Sequence, residues 1–141
     1  MRILIVTSRY YAHISSELEA GVAAALDEAG AAYDFLEVPG AFEVPGAISM
    51  AAEDAVYDGF VALGCVIRGE TSHYDHICNE VARALMDMSL QGIPIGFGVL
   101  TVENEAQALA RADRNKKNKG KEVAAAVVRM VELSRQFGED N

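Results

Sequence analysis

Four runs of apolar and β-branched residues recur along the chain, at residues 3–7, 33–38, 60–67 and 94–101. Their length and composition predict strands. Between the first two runs, Ile14, Leu18, Val22, Leu26 and Ala29 return at intervals of three and four. Ile77, Val81, Leu85 and Met88 do the same between the last two, and each set lines one side of a helix. Residues 105–114 and 122–137 read as two closing helices on either side of the polar stretch 115–120, which predicts a kink or short turn.

Strands alternating with helices over short connections imply parallel pairing, right-handed crossovers and a sheet covered on both faces. The expected fold class is α/β: a three-layer sandwich with a flavodoxin-like four-stranded parallel sheet, in one domain over residues 1–141. In such sheets ligands bind beyond the carboxyl ends of the strands, so the residues that follow each strand carry the information. The composition agrees, since 141 residues with 51% hydrophobic content can bury one ordinary core. No apolar run approaches the roughly 18 residues of a membrane span. The opening MRILIVTSRYY reads as a strand and not a cleaved leader, so a cytoplasmic protein is expected.

Charge and cysteine content narrow the chemistry. A net charge of −9 argues against a general nucleic-acid surface, which needs a positive face. Six of the 12 Lys and Arg residues nevertheless lie between Arg111 and Lys121, a place to seek an anion. A solvated helix end is the better account of the cluster as a whole, and a less persuasive one for Arg111 alone, which sits within an apolar helical pattern. Cys65 and Cys78 are the two cysteines; both lie in apolar surroundings, and no Cys/His quartet has zinc spacing.

The first strand is followed by Ser8-Arg9-Tyr10-Tyr11, which has neither the glycine pattern of a nucleotide fingerprint nor an acidic pocket. The two rings could wall an aromatic ligand or simply cover the sheet border. After the second strand comes VPGAFEVPG, residues 38–46, a stiff loop expected to hold Phe42 and Glu43 at its tip. An aromatic ring beside a carboxylate suits a planar heterocycle bearing N–H groups. The alternatives are a core role for Phe42 and a helix-start acid for Glu43.

The third strand runs into GCVIRGETSHYDH, residues 64–76. Gly69 allows close approach of a ligand, Thr71 or Ser72 can cap the following helix, and its free N–H groups form a phosphate seat. His73 stands at that seat and can shuttle protons at neutral pH, or serve as an ordinary cap-region residue. His13 and His76 have no evident partner and read as structural. Cys65, eight residues before His73, also admits a thiol nucleophile with a histidine base, although a small buried thiol fits the run VALGCVI. In IPIGFGVLTVEN, Phe97 between two glycines reads as a ring displayed on flexible backbone, more attractive as a contact surface than in the alternative core role.

VPGAFE, LGCVIRGETSHYDH, FGVLTVEN and NKG, in this order and at these separations, resemble the lumazine synthase family over most of residues 3–137. The resemblance implies condensation of 5-amino-6-(D-ribitylamino)uracil with L-3,4-dihydroxy-2-butanone 4-phosphate, releasing phosphate and two waters, with no metal or cofactor. It implies that Tyr10, where the family usually has phenylalanine, lies near the pyrimidine. Ala41, Phe42 and Glu43 would form the stacking and ribityl loop, and Cys65, Val66 and Ile67 would receive the ring edge. Glu70 and Thr71 correspond to the phosphate-contacting pair and His73 to the proton carrier. Phe97, with the pyrimidine, and Arg111 and Lys119, with the phosphate, correspond to groups contributed across a subunit contact.

The same resemblance implies a homopentamer with sites between subunits, and raises riboflavin synthase as a candidate partner. Twelve pentamers close into a shell in some members. Against a shell stand the start of the chain at its first strand and RNKKNKG, where shell formers have a more glycine-rich kink. The rival readings are a Cys65/His73 thiol hydrolase or glyoxalase, a non-catalytic flavin or lumazine binder, and an assembly scaffold.

Overall fold

The computed structural model describes residues 1–69 and 71–138. Four parallel strands, β1 (Arg2–Ser8), β2 (Ala32–Val38), β3 (Gly59–Ile67) and β4 (Ile95–Val102), stand in the order β2-β1-β3-β4. Each lies within one residue of its expected bounds. β3 is central and buried at every position but the last, which explains its unbroken apolar sequence. β2 and β4 are the edges, and β2 leaves Phe35 and Leu36 exposed.

Successive side chains of each strand point to opposite faces, and the two faces build two cores. Ile3, Ile5, Val61 and Leu63 face α1 (Ala12–Glu28), α4 (Glu105–Ala112) and α5 (Lys119–Gly138). Leu4, Val6, Phe60 and Ala62 face α2 (Val44–Ala52) and α3 (His73–Leu90). The three-layer α/β sandwich is thus the architecture of the chain. On α1, Ile14, Leu18, Val22 and Leu26 are fully buried; Ala29 is the cap residue just past the helix and is exposed. Gly30 follows with φ +73°, a conformation that ends the helix at little cost to glycine alone.

Three expectations change. The stiff loop of residues 38–46 is only half loop: Ala41–Glu43 form a 3₁₀ turn, and Val44, Pro45 and Gly46 already belong to α2. Proline suits a first helical turn because no intrahelical partner awaits its missing N–H. α4 stops at Ala112 and α5 starts at Lys119, because Asn118 takes φ +47° and its N–H returns to the Asp113 carbonyl. Finally, Gly96 and Gly98 are not flexible mounts for Phe97. A Cβ at Gly96 would stand 2.6 Å from the Val123 carbonyl oxygen, and one at Gly98 2.5 Å from Leu63 Cδ2. These glycines let α5 lie directly on the sheet, and Phe97 packs with the opposite core beneath α3.

The backbones of α1 and α5 also meet: a Cβ at Gly120 would stand 2.6 Å from the Leu18 carbonyl oxygen. This close approach fixes the turn before α5, and with it the place of Lys119.

Candidate active site

At the topological switch between β1 and β3, where crossovers leave in opposite directions, a cavity of about 550 Å³ opens beyond the carboxyl ends of the strands. Its walls come from the ends of β1 and β3 and from the connections that follow β1 and β2. The end of β1 and the connection after it supply Ser8, Tyr10 and Tyr11; residues 39–43 supply the rigid lip with Ala41, Phe42 and Glu43; the end of β3 supplies Cys65, Val66 and Ile67. His73 and Ile77, from the first turns of α3, close the remaining side. Tyr10 is 76% exposed and Phe42 52% exposed, so two large rings stand free where core rings would be covered. Tyr11 meets Tyr10 edge to face at 5.0 Å. Partial burial, and then the neighbouring Tyr10, Cys65 and Glu105, hold the Tyr11 phenol above its ordinary range.

The start of α3 differs in detail from expectation. Ser72 occupies the cap position without a side-chain cap bond; Thr71 Oγ1 instead accepts from the His73 N–H at 3.3 Å. Glu70 lies outside the described residues. Arg68, which the sequence did not single out, ties this segment to its surroundings. Its guanidinium bonds Glu103 at 2.8 Å, approaches Asp75 at 3.6 Å and lies 4.4 Å from the centre of the Tyr74 ring. Arg68 thus links Tyr74 and Asp75, the two residues after His73 at the head of α3, to Glu103 in the β4–α4 connection. The Arg-Gly-Glu-Thr spacing gave no hint of it, because Glu103 comes from 35 residues away.

Arg111 and Lys119 lie elsewhere. With Val99, Leu100, Thr101, Lys117 and Glu122 they line a second cavity of about 480 Å³ on the outer side of β4, which shares no wall residue with the first. Arg111 Nη1 donates to the Gln107 carbonyl at 3.0 Å, and Lys119 Nζ sits 3.2 Å from Glu122. Phe97 lines a third, apolar space of about 60 Å³ between α3 and β4, which meets the main cavity at Val66 and Ile77. One chain therefore gathers Tyr10, Ala41, Phe42, Glu43, Cys65, Val66, Ile67 and His73 in one place, with Thr71 at its margin. It holds Arg111 and Lys119 apart from them, while Phe97 shares a small apolar space with Val66.

Burial pushes the Cys65 thiol up to about 11, with a further push from Glu105. At neutral pH a thiolate fraction of roughly 10⁻⁴ remains, which counts against the nucleophile reading, since only the thiolate attacks. His13 does have a partner, Glu105 at the head of α4, a pairing between segments 92 residues apart. His76 is exposed. Among the described residues no three His, Cys, Asp or Glu side chains converge as a metal-ligand set, and no helix is long and apolar enough to cross a membrane.

Comparison with known proteins gives one consistent result. Residues 1–135 match the family model described as 6,7-dimethyl-8-ribityllumazine synthase. A protein of that name from Sphingopyxis alaskensis is 52% identical, with 96% of each chain covered. Those from Erythrobacter litoralis and Bartonella bacilliformis are 51% and 50% identical; the alignments cover 97% and 98% of this chain, and 98% and 93% of the relatives. With its sheet order and its switch-point cavity, this chain belongs to the 6,7-dimethyl-8-ribityllumazine synthase family.

Proposed function

We propose that this chain condenses 5-amino-6-(D-ribitylamino)uracil with L-3,4-dihydroxy-2-butanone 4-phosphate to give 6,7-dimethyl-8-ribityllumazine, a transferase step of riboflavin biosynthesis. Family membership supports the reaction. The observation that carries the site assignment is the single cavity in which free-standing aromatic rings face a histidine at a helix N-terminus. In this reading Tyr10 and Phe42 bracket the pyrimidine, Ala41 and Glu43 take its ribityl chain, and Cys65, Val66 and Ile67 receive the ring edge. Glu70 and Thr71 take the phosphate beside the α3 N-terminus, whose free N–H groups favour an anion.

The primary amine of the pyrimidine attacks the ketone, and loss of water gives an imine. Elimination breaks the C–O bond to phosphate, and closure of the second ring with loss of another water completes the lumazine. Atoms balance as lumazine, phosphate and two waters, with no oxidant consumed. His73 moves protons between these steps, a contribution of about 10²- to 10⁴-fold. Holding two substrates in register supplies the larger share, about 7–11 kcal/mol in favourable cases.

The separation of the two polar cavities supports a homo-oligomer in which Arg111 and Lys119 of one subunit complete the site of the next; a pentamer, with Phe97 crossing the same contact, is what the family resemblance adds. The reading takes residues 1–141 as one domain of a cytoplasmic enzyme, with riboflavin synthase as a candidate partner. The deciding assay mixes purified protein and the two substrates, without added metal or cofactor, and follows lumazine absorbance against the uncatalysed background. Enzyme-dependent product sustains the reading; background rate from folded, oligomeric protein overturns it and returns a lumazine-binding role to the front.

A further inference from the structure

The first loop of the cavity poses a physical problem. Tyr10 is 76% exposed and its nearest aromatic neighbour, Tyr11, meets it only by an edge, so packing does little to set where its ring stands. Its position has to come from the backbone that carries it. That backbone is laced to α1 by side chains on both partners. Ser15 Oγ donates to the buried Ser8 carbonyl at 2.8 Å, and Thr7 Oγ1 donates to Glu19 Oε2 at 3.0 Å. The next residue closes the lattice: Arg9 Nη1 donates to the same Glu19 oxygen at 2.5 Å, and Nη2 to Ser16 Oγ at 2.9 Å.

Glu19 stands four residues after Ser15 and three after Ser16, so one side of α1 presents all three to the strand end. With side chains 30% and 18% exposed, Arg9 and Glu19 form the most buried ion pair among the described residues. An arginine one residue before a cavity-lining tyrosine invites assignment as an anion ligand. Its geometry says otherwise, because a guanidinium forked between a half-buried carboxylate and a hydroxyl is already neutralised and oriented.

We propose that Arg9, held by Glu19 and Ser16, is a positioning residue that sets the Tyr10 ring against the pyrimidine and does not itself touch either substrate. This rests on the reading of the cavity given above for the pyrimidine. Fixing the loop before the substrate arrives removes an ordering cost from binding, and the effect falls on the substrate that Tyr10 faces.

The test compares Arg9→Gln, Glu19→Ala and Arg9→Lys with the wild type in steady-state kinetics, varying each substrate in turn. It also follows the Tyr10 signal of 3-fluorotyrosine-labelled protein by ¹⁹F NMR. With five tyrosines in the chain, Tyr10→Phe assigns that signal. A strut predicts that Arg9→Gln and Glu19→Ala behave alike. Each raises KM for the pyrimidine about tenfold or more, leaves KM for the keto-phosphate and the pH profile of kcat unchanged, and shifts and sharpens the Tyr10 fluorine signal in the unliganded protein. Arg9→Lys, which keeps the Glu19 contact and loses the fork, falls between.

Two results overturn the proposal. In one, Arg9→Gln raises KM for the keto-phosphate while Glu19→Ala does not, the mark of a direct anion ligand. In the other, thermal stability falls while the pyrimidine KM and the fluorine signal stay at wild-type values. If the wild type makes no lumazine, the proposed reaction fails separately, and the fluorine signal of the free protein alone decides whether Arg9 and Glu19 set Tyr10.

Discussion

The two polar cavities of this chain are built on opposite plans. The one at the β1/β3 switch draws its walls from the connections after β1 and β2, the end of β3 and the head of α3, segments far apart in sequence, and is lined mainly by rings and aliphatic groups with one carboxylate, Glu43. The one beside β4 collects Arg111, Lys117, Lys119 and Glu122 from a single stretch of chain folded along an edge strand. A flat neutral ring is recognised by enclosure, and enclosure needs walls from several directions. An anion is recognised by a few cations, and a short segment can supply them. A reaction that joins a ring to a phosphate ester can use both plans, and the proposed oligomer would bring the second cavity of one copy to the first cavity of another.

Mixing subunits is the sharpest way to break that contrast. His73→Ala alone should lose about 10²- to 10⁴-fold in kcat with some activity left. Arg111→Ala alone should raise KM for the keto-phosphate about 10- to 150-fold, the cost of a charge-assisted contact. Refolded together, the two variants should recover activity above either parent, since some interfaces join two intact halves. Failure to recover would assign both cavities to one subunit. Next in size is Gly98→Val, which drives a side chain into Leu63 beneath α5 and should cost about 1–3 kcal/mol, read as a lower thermal midpoint. No such loss would mean that α5 can lift from β4, and the basic cavity would lose its fixed frame.

Smaller again, Phe42→Ala should weaken the pyrimidine about 2- to 10-fold while leaving the keto-phosphate KM alone, as expected for one lost aromatic contact. An equal effect on both substrates would erase the division between ring and anion. Cys65→Ala should leave turnover at wild-type level, and the wild-type thiol should resist iodoacetamide at neutral pH. Because folding raises the Cys65 pKa from 9.0 to about 11, the unfolded chain releases that proton first. The stabilising contribution of Cys65 relative to alanine is full below pH 9 and falls as pH climbs toward 11, which paired urea melts at pH 8 and pH 10.5 would read.

The frame was legible in the sequence wherever burial decides residue type. β3 is apolar throughout because both its faces are covered, and α1 shows one stripe because it has one side against the sheet. The switch-point loops were legible for a related reason: topology alone puts the ends of β1 and β3 side by side. What escaped depends on which distant segments meet. Gly96 and Gly98 looked like flexible mounts because the helix that presses on them is more than 20 residues further on. His13 lacked a partner until α4 came to it, and nothing in the sequence singled out Arg9 or Arg68, whose carboxylate partners lie 10 and 35 residues away. Charge at Arg111 and Lys119 was plain; the side of the sheet on which it would stand was not.

The contact of Gly120 with the Leu18 carbonyl also bears on how the protein is made. Synthesis is vectorial, and α1 emerges long before the helix that must press against it. Until residues 119–138 have left the ribosome, Val61 and Leu63 of β3 and the inner side of α1 lack the helix that shields them from water. The sheet can pair early, yet its larger core stays open until α5 docks, so the nascent chain passes through a stage with an uncovered apolar surface that holdase chaperones are suited to guard.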